Sequence, residues 1–150
     1  MTTTFGKPTP LDVRDAVVAQ FEITRDAVRA YADVVGHREA VYRDPEAARR
    51  AGYPDLVAPP MFAAVYAAPA VWPAMAEAVG TGMEGVLHGA QEFRWSGLAF
   101  AGDAITTEAR AVERTEAGGL AFHVVESISS NAAGEELVRG RWMAIRRERP

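Results

Sequence analysis

The sequence predicts an α+β fold in which one buried helix is wrapped by an antiparallel sheet, and three observations carry that prediction. The run Met61–Trp72, MFAAVYAAPAVW, is apolar, rich in small residues and too long for an ordinary strand, so it reads as a buried central helix. After residue 85 the chain changes character: VLHGAQEFRW, AITTEARAVER, LAFHVVESIS and ELVRGRWMAI are strand-like runs separated by turn residues. Helical spacing is confined to the first half. Helices first and a sheet after is the pattern of an α+β layout.

Each element has its own local warrant. Residues 1–19 carry Pro8 and Pro10 with mixed polarity and read as an extended arm, ordered only where it packs, ahead of a domain spanning 20–150. From Gln20 a short strand, FEIT, leads to Thr24, a good helix N-cap. Val28, Tyr31, Ala32 and Val35 then recur at helical spacing until Gly36 ends the helix. PEAARRAG, 45–52, is a second short helix with Asp44 as cap, Pro45 at the first helical position and Gly52 at the exit. Pro59 and Pro60 open the central helix, which Pro69 and Pro73 are expected to end or kink before a further helix around AMAEAVG. GTGMEG, 80–85, is a flexible connector. Turn signals at Ser96-Gly97, Gly102-Asp103, 116–119 and 131–134 divide the four strands.

Composition narrows the function. The chain has 150 residues, 49% of them hydrophobic, enough for one core. With no cysteine there is no disulfide framework, thiolate nucleophile or Cys-ligated metal. The start, MTTTFGKPTP, lacks a secretion signal, and no window is expected to reach the roughly 20 apolar residues of a membrane span, so the expectation is a cytoplasmic protein. A net charge of −4 with scattered Arg gives no basic stripe for nucleic acid. There is no Gly-x-Ser-x-Gly elbow, no phosphate loop and no HExxH pattern, so neither a serine hydrolase, a metal nor a cofactor is indicated.

The segment Tyr31–Phe62, YADVVGHREAVYRDPEAARRAGYPDLVAPPMF, is the most informative. It resembles the hydratase box of MaoC-like (R)-specific enoyl-thioester hydratases and 3-hydroxyacyl-thioester dehydratases. There an aromatic-Ala start leads to G-D-x-N-P-x-H, a trailing Asp, an Ala-rich turn and an Ala-Pro-x-Met-aromatic exit. Gly36, Asp44, Ala58, Pro59, Met61 and Phe62 keep the frame. His37 stands where the family has its acid and Tyr42 where it has its base, with Glu39 and Ala40 replacing Asn-Pro. A second stretch, LHGAQEFRWSGLAFAGD at 87–103, is similar to a later family signature. The resemblance implies a hot-dog fold, dimerisation through sheet edges, and acyl-CoA or acyl-carrier-protein thioesters as substrates.

Hydration of an enoyl thioester needs a base, an acid and amide donors on the thioester carbonyl. The resemblance places those donors at the start of the central helix, where Pro60 has no N–H and Met61 and Phe62 would supply them. Imidazole as a group titrates near neutrality, which makes His37 a candidate for replacement chemistry; a solvent-facing loop histidine is the other reading. Glu39 is a candidate carboxylate base or a loop charge. Tyr42 is a poor base at an ordinary pKa of about 10, and is expected to donate a hydrogen bond or fill the vacated pocket. His88 is a catalytic candidate or a family structural position near the dimer seam. Strand alternation sets it on the face of Val86, Ala90, Glu92 and Arg94, opposite Leu87, Gly89, Gln91, Phe93 and Trp95. His123 reads as an ordinary sheet residue. Pro59, Met61, Phe62, Tyr66 and Gln91 are the expected substrate-binding positions.

Three functions remain open. The chain is similar to the accessory subunit of heterodimeric dehydratases, which shapes the acyl channel while an intact-box partner brings Asp and His. Alternatively it is a self-sufficient homodimer performing thioester hydrolysis or conjugate addition with His37 or Glu39 as base, or a non-enzymatic acyl-binding or scaffold subunit.

Overall fold

The computed structural model describes residues 9–10, 15–80 and 82–148. In chain order the elements are β1 (Thr9–Pro10), β2 (Val17–Glu22), α1 (Arg25–Val35), a 3-10 turn (Ala40–Tyr42), α2 (Pro45–Arg50), a second 3-10 turn (Pro60–Phe62), α3 (Ala63–Val79), β3 (Val86–Trp95), β4 (Ala104–Ala117), β5 (Leu120–Ser130) and β6 (Glu136–Arg147). The sheet is antiparallel, ordered β1-β4-β5-β6-β3, with β2 also pairing β4. Of the arm, residues 1–8 and 11–14 lie outside the described residues. Its described part is less separate than expected, because β2 begins at Val17 and runs beside Ala109 of β4.

Helix α3 packs on β2, β4 and β5. Its buried residues Ala63, Tyr66, Ala67, Ala70, Val71, Ala74 and Met75 alternate small and large, which lets the sheet curve closely around it. The expected break at Pro69 and Pro73 does not occur: α3 is one helix of 17 residues. The two prolines are four residues apart and both lie on the exposed face, so the carbonyls they leave unbonded turn toward water. Burial of the opposite face outweighs the cost of about 3 kcal/mol per internal proline. Continuity also overturns the expectation that no segment is long enough to span a membrane, since Pro60–Val79 is 20 residues with mean hydropathy 1.3. Half of that stretch is buried against the sheet, as a core helix requires.

The β4–β5 hairpin turns on Gly118 and Gly119, at φ 60° and 75°, the conformation a two-residue turn of matching twist demands. Two buried polar pairs on the helix side are satisfied across strands. Thr107 and Ser129 hydroxyls lie 2.7 Å apart, and Trp142 Nε1 donates to Ser127 Oγ at 2.9 Å. On the outer face Arg141 pairs with Glu113 at 2.6 Å and Glu126 at 2.8 Å.

Gly140 permits the Trp142 contact, since a Cβ there would stand 2.6 Å from both Ser127 Oγ and Trp142 Nε1. Gly140→Ala is therefore expected to destabilise the chain by about 1–3 kcal/mol. A urea midpoint equal to wild type would contradict this packing.

Candidate active site

The degenerate box is a loop held at both ends by capping. Thr24 Oγ1 accepts from the Ala27 amide at 3.1 Å to start α1, and Gly36, at φ 78°, ends it as the His37 amide reaches back to the Ala32 carbonyl at 2.8 Å. Asp44 accepts from the Glu46 amide at 2.9 Å and starts α2, as the sequence predicts. Arg43 then clamps the loop: its Nε and Nη2 donate to the His37 carbonyl at 3.0 and 2.9 Å, and its guanidinium also pairs with Asp33. Beyond α2, Asp55 accepts two bonds from Arg25 at 2.9 and 2.6 Å. The segment after it enters the interior, where the Val57 amide donates to Val41 at 3.0 Å and the Ala58 amide to Ala99 at 2.9 Å.

Inside this frame three of the predicted residues come together. His37 Nδ1 lies 3.4 Å from Glu39 Oε2, and the His37 and Tyr42 ring centres are 5.1 Å apart. The backbone amide of Glu39 itself, and after it His37, hold the Glu39 carboxyl below its ordinary range. Burial, then the Glu39 charge, pushes the Tyr42 phenol upward. Tyr42 thus stays protonated at neutral pH and offers an O–H donor, not a base. The Glu39 carboxylate and the His37 imidazole are the candidate proton-accepting groups of the loop.

The entrance to α3 is built on Pro59, Met61 and Phe62. Pro59 and Phe62 are buried, Met61 is exposed, and the Phe62 ring is ringed by Tyr31 at 5.3 Å, Phe21 at 6.1 Å and Tyr66 at 6.2 Å. Two expectations change here. The Phe62 amide is not offered to a ligand, because it donates to the Pro59 carbonyl at 2.8 Å, which leaves the Met61 amide at this helix end. Tyr66 belongs to the core, where burial raises its phenol well above the usual range.

His88 is a further correction. Gly89 forms a β-bulge that shifts the β3–β6 register between His88 and Ala90. The bulge turns His88 to the same face as Gln91, Phe93 and Trp95, where it stacks on Trp142 at 6.2 Å and meets Trp72 of α3 edge-on at 5.9 Å. Its Nε2 lies 3.2 Å from the Ala90 carbonyl, to which it donates as the Nε2–H tautomer. It makes no hydrogen bond or ring contact with His37, Glu39 or Tyr42. Gln91, opposite Trp142, is partly buried, and its Nε2 has no hydrogen-bond partner among the described residues. Sequence reasoning missed Trp95, whose indole donates to the Pro60 carbonyl at 3.1 Å and ties the start of α3 to the sheet edge. Among the described residues no cluster of His, Asp and Glu is grouped to hold a metal.

A sheet curved around one long helix, with a box loop feeding that helix, defines the hot-dog dehydratase/hydratase class, and the comparisons agree. Residues 15–139 match the FAS1-like dehydratase domain region, and the chain belongs to that family. It is 32% identical over 126 residues to a UPF0336 protein of Thermobifida fusca, covering 83% of each chain. The truncated HadBC (3R-hydroxyacyl-ACP dehydratase) complex of Mycobacterium tuberculosis contains a chain of the same fold. It has a TM-score of 0.74 at 21% identity, over 93% of this chain and 95% of that one. The R-hydratase PhaJ1 of Pseudomonas aeruginosa superposes at TM-score 0.72 and 18% identity, over 95% of this chain and 90% of its own. The MaoC-like resemblance and the hot-dog fold are thereby shown.

The Arg25 guanidinium holds the Asp55 carboxyl down to about 2. A depressed carboxyl stabilises the folded state above its unfolded pKa, near 4, and the gain fades as pH falls through the folded value. Asp55→Asn is expected to cost about 1 kcal/mol at pH 7, with the gap to wild type closing between pH 4 and 2 in urea titrations. A pH-independent gap would mean that the carboxylate charge is not what holds the exit of the loop.

Proposed function

We propose that this chain is an accessory, acyl-channel-shaping subunit for dehydration of (R)-3-hydroxyacyl thioesters or hydration of the corresponding enoyl thioesters, with acyl-CoA or acyl-carrier-protein substrates. The observation that carries this reading is the box itself. Its caps, clamp and exit are intact, while the two positions that hold acid and base in the resembled family are His37 and Tyr42, and Tyr42 is a protonated, half-buried ring. A loop kept in shape without its acid–base pair suits a chain that borrows chemistry from a partner. The surface supports such pairing: β3 is an edge strand, and Met61, Trp72, Leu87, Trp95 and Leu98 are large apolar side chains left exposed beside it. The M. tuberculosis relative in fold is itself a two-component complex by its name. An intact-box hot-dog chain is the proposed occupant of this edge, a second copy of this chain the alternative.

A self-sufficient enzyme is the second reading, favoured by the 3.4 Å approach of His37 and Glu39. That pair would take the proton of an attacking water or other nucleophile.

Crotonyl and longer trans-2-enoyl thioesters separate the two. In the accessory reading the purified chain leaves the conjugated-enone absorbance unchanged, and loss begins when an intact-box chain is added. Turnover by the chain alone sinks that reading. The second reading then requires His37→Ala and Glu39→Gln each to lower the rate by about 10²-fold or more.

A further inference from the structure

The end of α3 remote from the box carries a second cluster of functional groups. Ala78, Val79, Arg114, His123, Arg146, Arg147 and Glu148 line a half-open cavity of about 330 Å³. Seventeen helical residues at 1.5 Å each put it about 25 Å from the start of α3. The sheet register builds it. Arg114 of β4 is directly opposite His123 of β5, and Arg146 of β6 lies opposite Ala121, on the same face and one step along.

The charge arrangement is unusual for a chain of net charge −4. Arg114 is paired with Glu116 at 2.6 Å and Glu148 at 2.8 Å, whereas neither Arg146 nor Arg147 is ion-paired among the described residues. His123 is 97% buried, being only 3% exposed, and its Nδ1 has no hydrogen-bond partner among the described residues. Buried ring nitrogens are ordinarily bonded, so one with no partner among the described residues, beside a cationic cavity, points to a ligand there. The Glu148 carboxylate on Arg114 shows the chemistry the site accepts, an oxyanion on a guanidinium.

We propose that this cavity binds a phosphate-type dianion, held by Arg146 together with Arg114, with Arg147 at the rim, and hydrogen-bonded by His123. Guanidinium forks match phosphate oxygens two at a time. Burial first, and then Arg114, hold the His123 imidazole below its ordinary range, with Arg146 acting the same way and Glu148 and the Ala78 carbonyl opposing. A dianion reverses that balance, so binding draws a proton onto His123. This inference is independent of how the box is read.

The test is long-range nitrogen–proton NMR of the three histidines in the full chain, titrated with inorganic phosphate at constant ionic strength. Expected is a saturable shift confined to His123, with its protonation midpoint raised by about 1 pH unit or more, the scale of an opposite charge within a few ångströms. Saturation is lost in Arg146→Ala/Arg147→Ala, whose circular dichroism matches wild type. Adenosine 3′,5′-bisphosphate is the second probe. Tighter binding than phosphate supports an esterified ligand, and binding of phosphate alone supports a free dianion. No saturable shift with either probe, the same shift with sodium chloride, or an undiminished shift in the double variant would overturn the proposal.

Discussion

Everything in this molecule hangs on the burial of α3 in the curve of its sheet. The helix has no charged residue on its inner face. Ala63, Ala67, Ala70 and Ala74 bring β2, β4 and β5 close, while Phe62, Tyr66, Val71 and Met75 fill the space between them. That contact sustains a helix through two prolines, fixes which face of each strand is apolar, and sets the start of α3 under the box loop. The loop in turn is fastened to it through Val57, Ala58 and the aromatic cluster around Phe62.

The outer edge of the fold is less complete than its centre. β4, β5 and β6 are paired on both sides, but β3 has one neighbour and an open edge. The aromatic cluster Trp72, His88, Trp142 and Phe93 runs along the inside of that edge. Its position shows how an edge strand can be stiffened from within. The bulge falls at Gly89, where a Cβ would meet Ile145 Cδ1 at 2.5 Å, and the one-residue slip sets the exposed His88 on the helix side of the sheet.

The two candidate sites stand at the two ends of α3, and the ends differ in kind. The first is a shaped loop in which a carboxylate, an imidazole and a protonated phenol converge, framed by caps and by the Arg43 and Arg25 clamps. The second is a cationic cavity under the last turn, assembled from three strands that are distant in sequence.

The sequence by itself determined what depends on near neighbours. Thr24, Gly36, Asp44, Pro45 and the Gly118-Gly119 turn act through bonds a few residues long, so helix starts, helix stops and the hairpin were legible, and the family frame of the box with them. The central helix was legible as an apolar run too long for a strand, and the four long strands as strand-like runs between turn residues. Tertiary structure decided what depends on competition between distant groups. Whether Pro69 and Pro73 end a helix is settled by how much surface the other face buries. Where β2 begins is settled by its pairing with β4. The face of His88 rests on a bulge answering Ile145 across the sheet, and the loss of the Phe62 amide on a local turn that its proline-rich sequence hides. The convergence of Arg114, His123 and Arg146 had no linear signal at all, because only strand register brings side chains from three separate runs to one cavity.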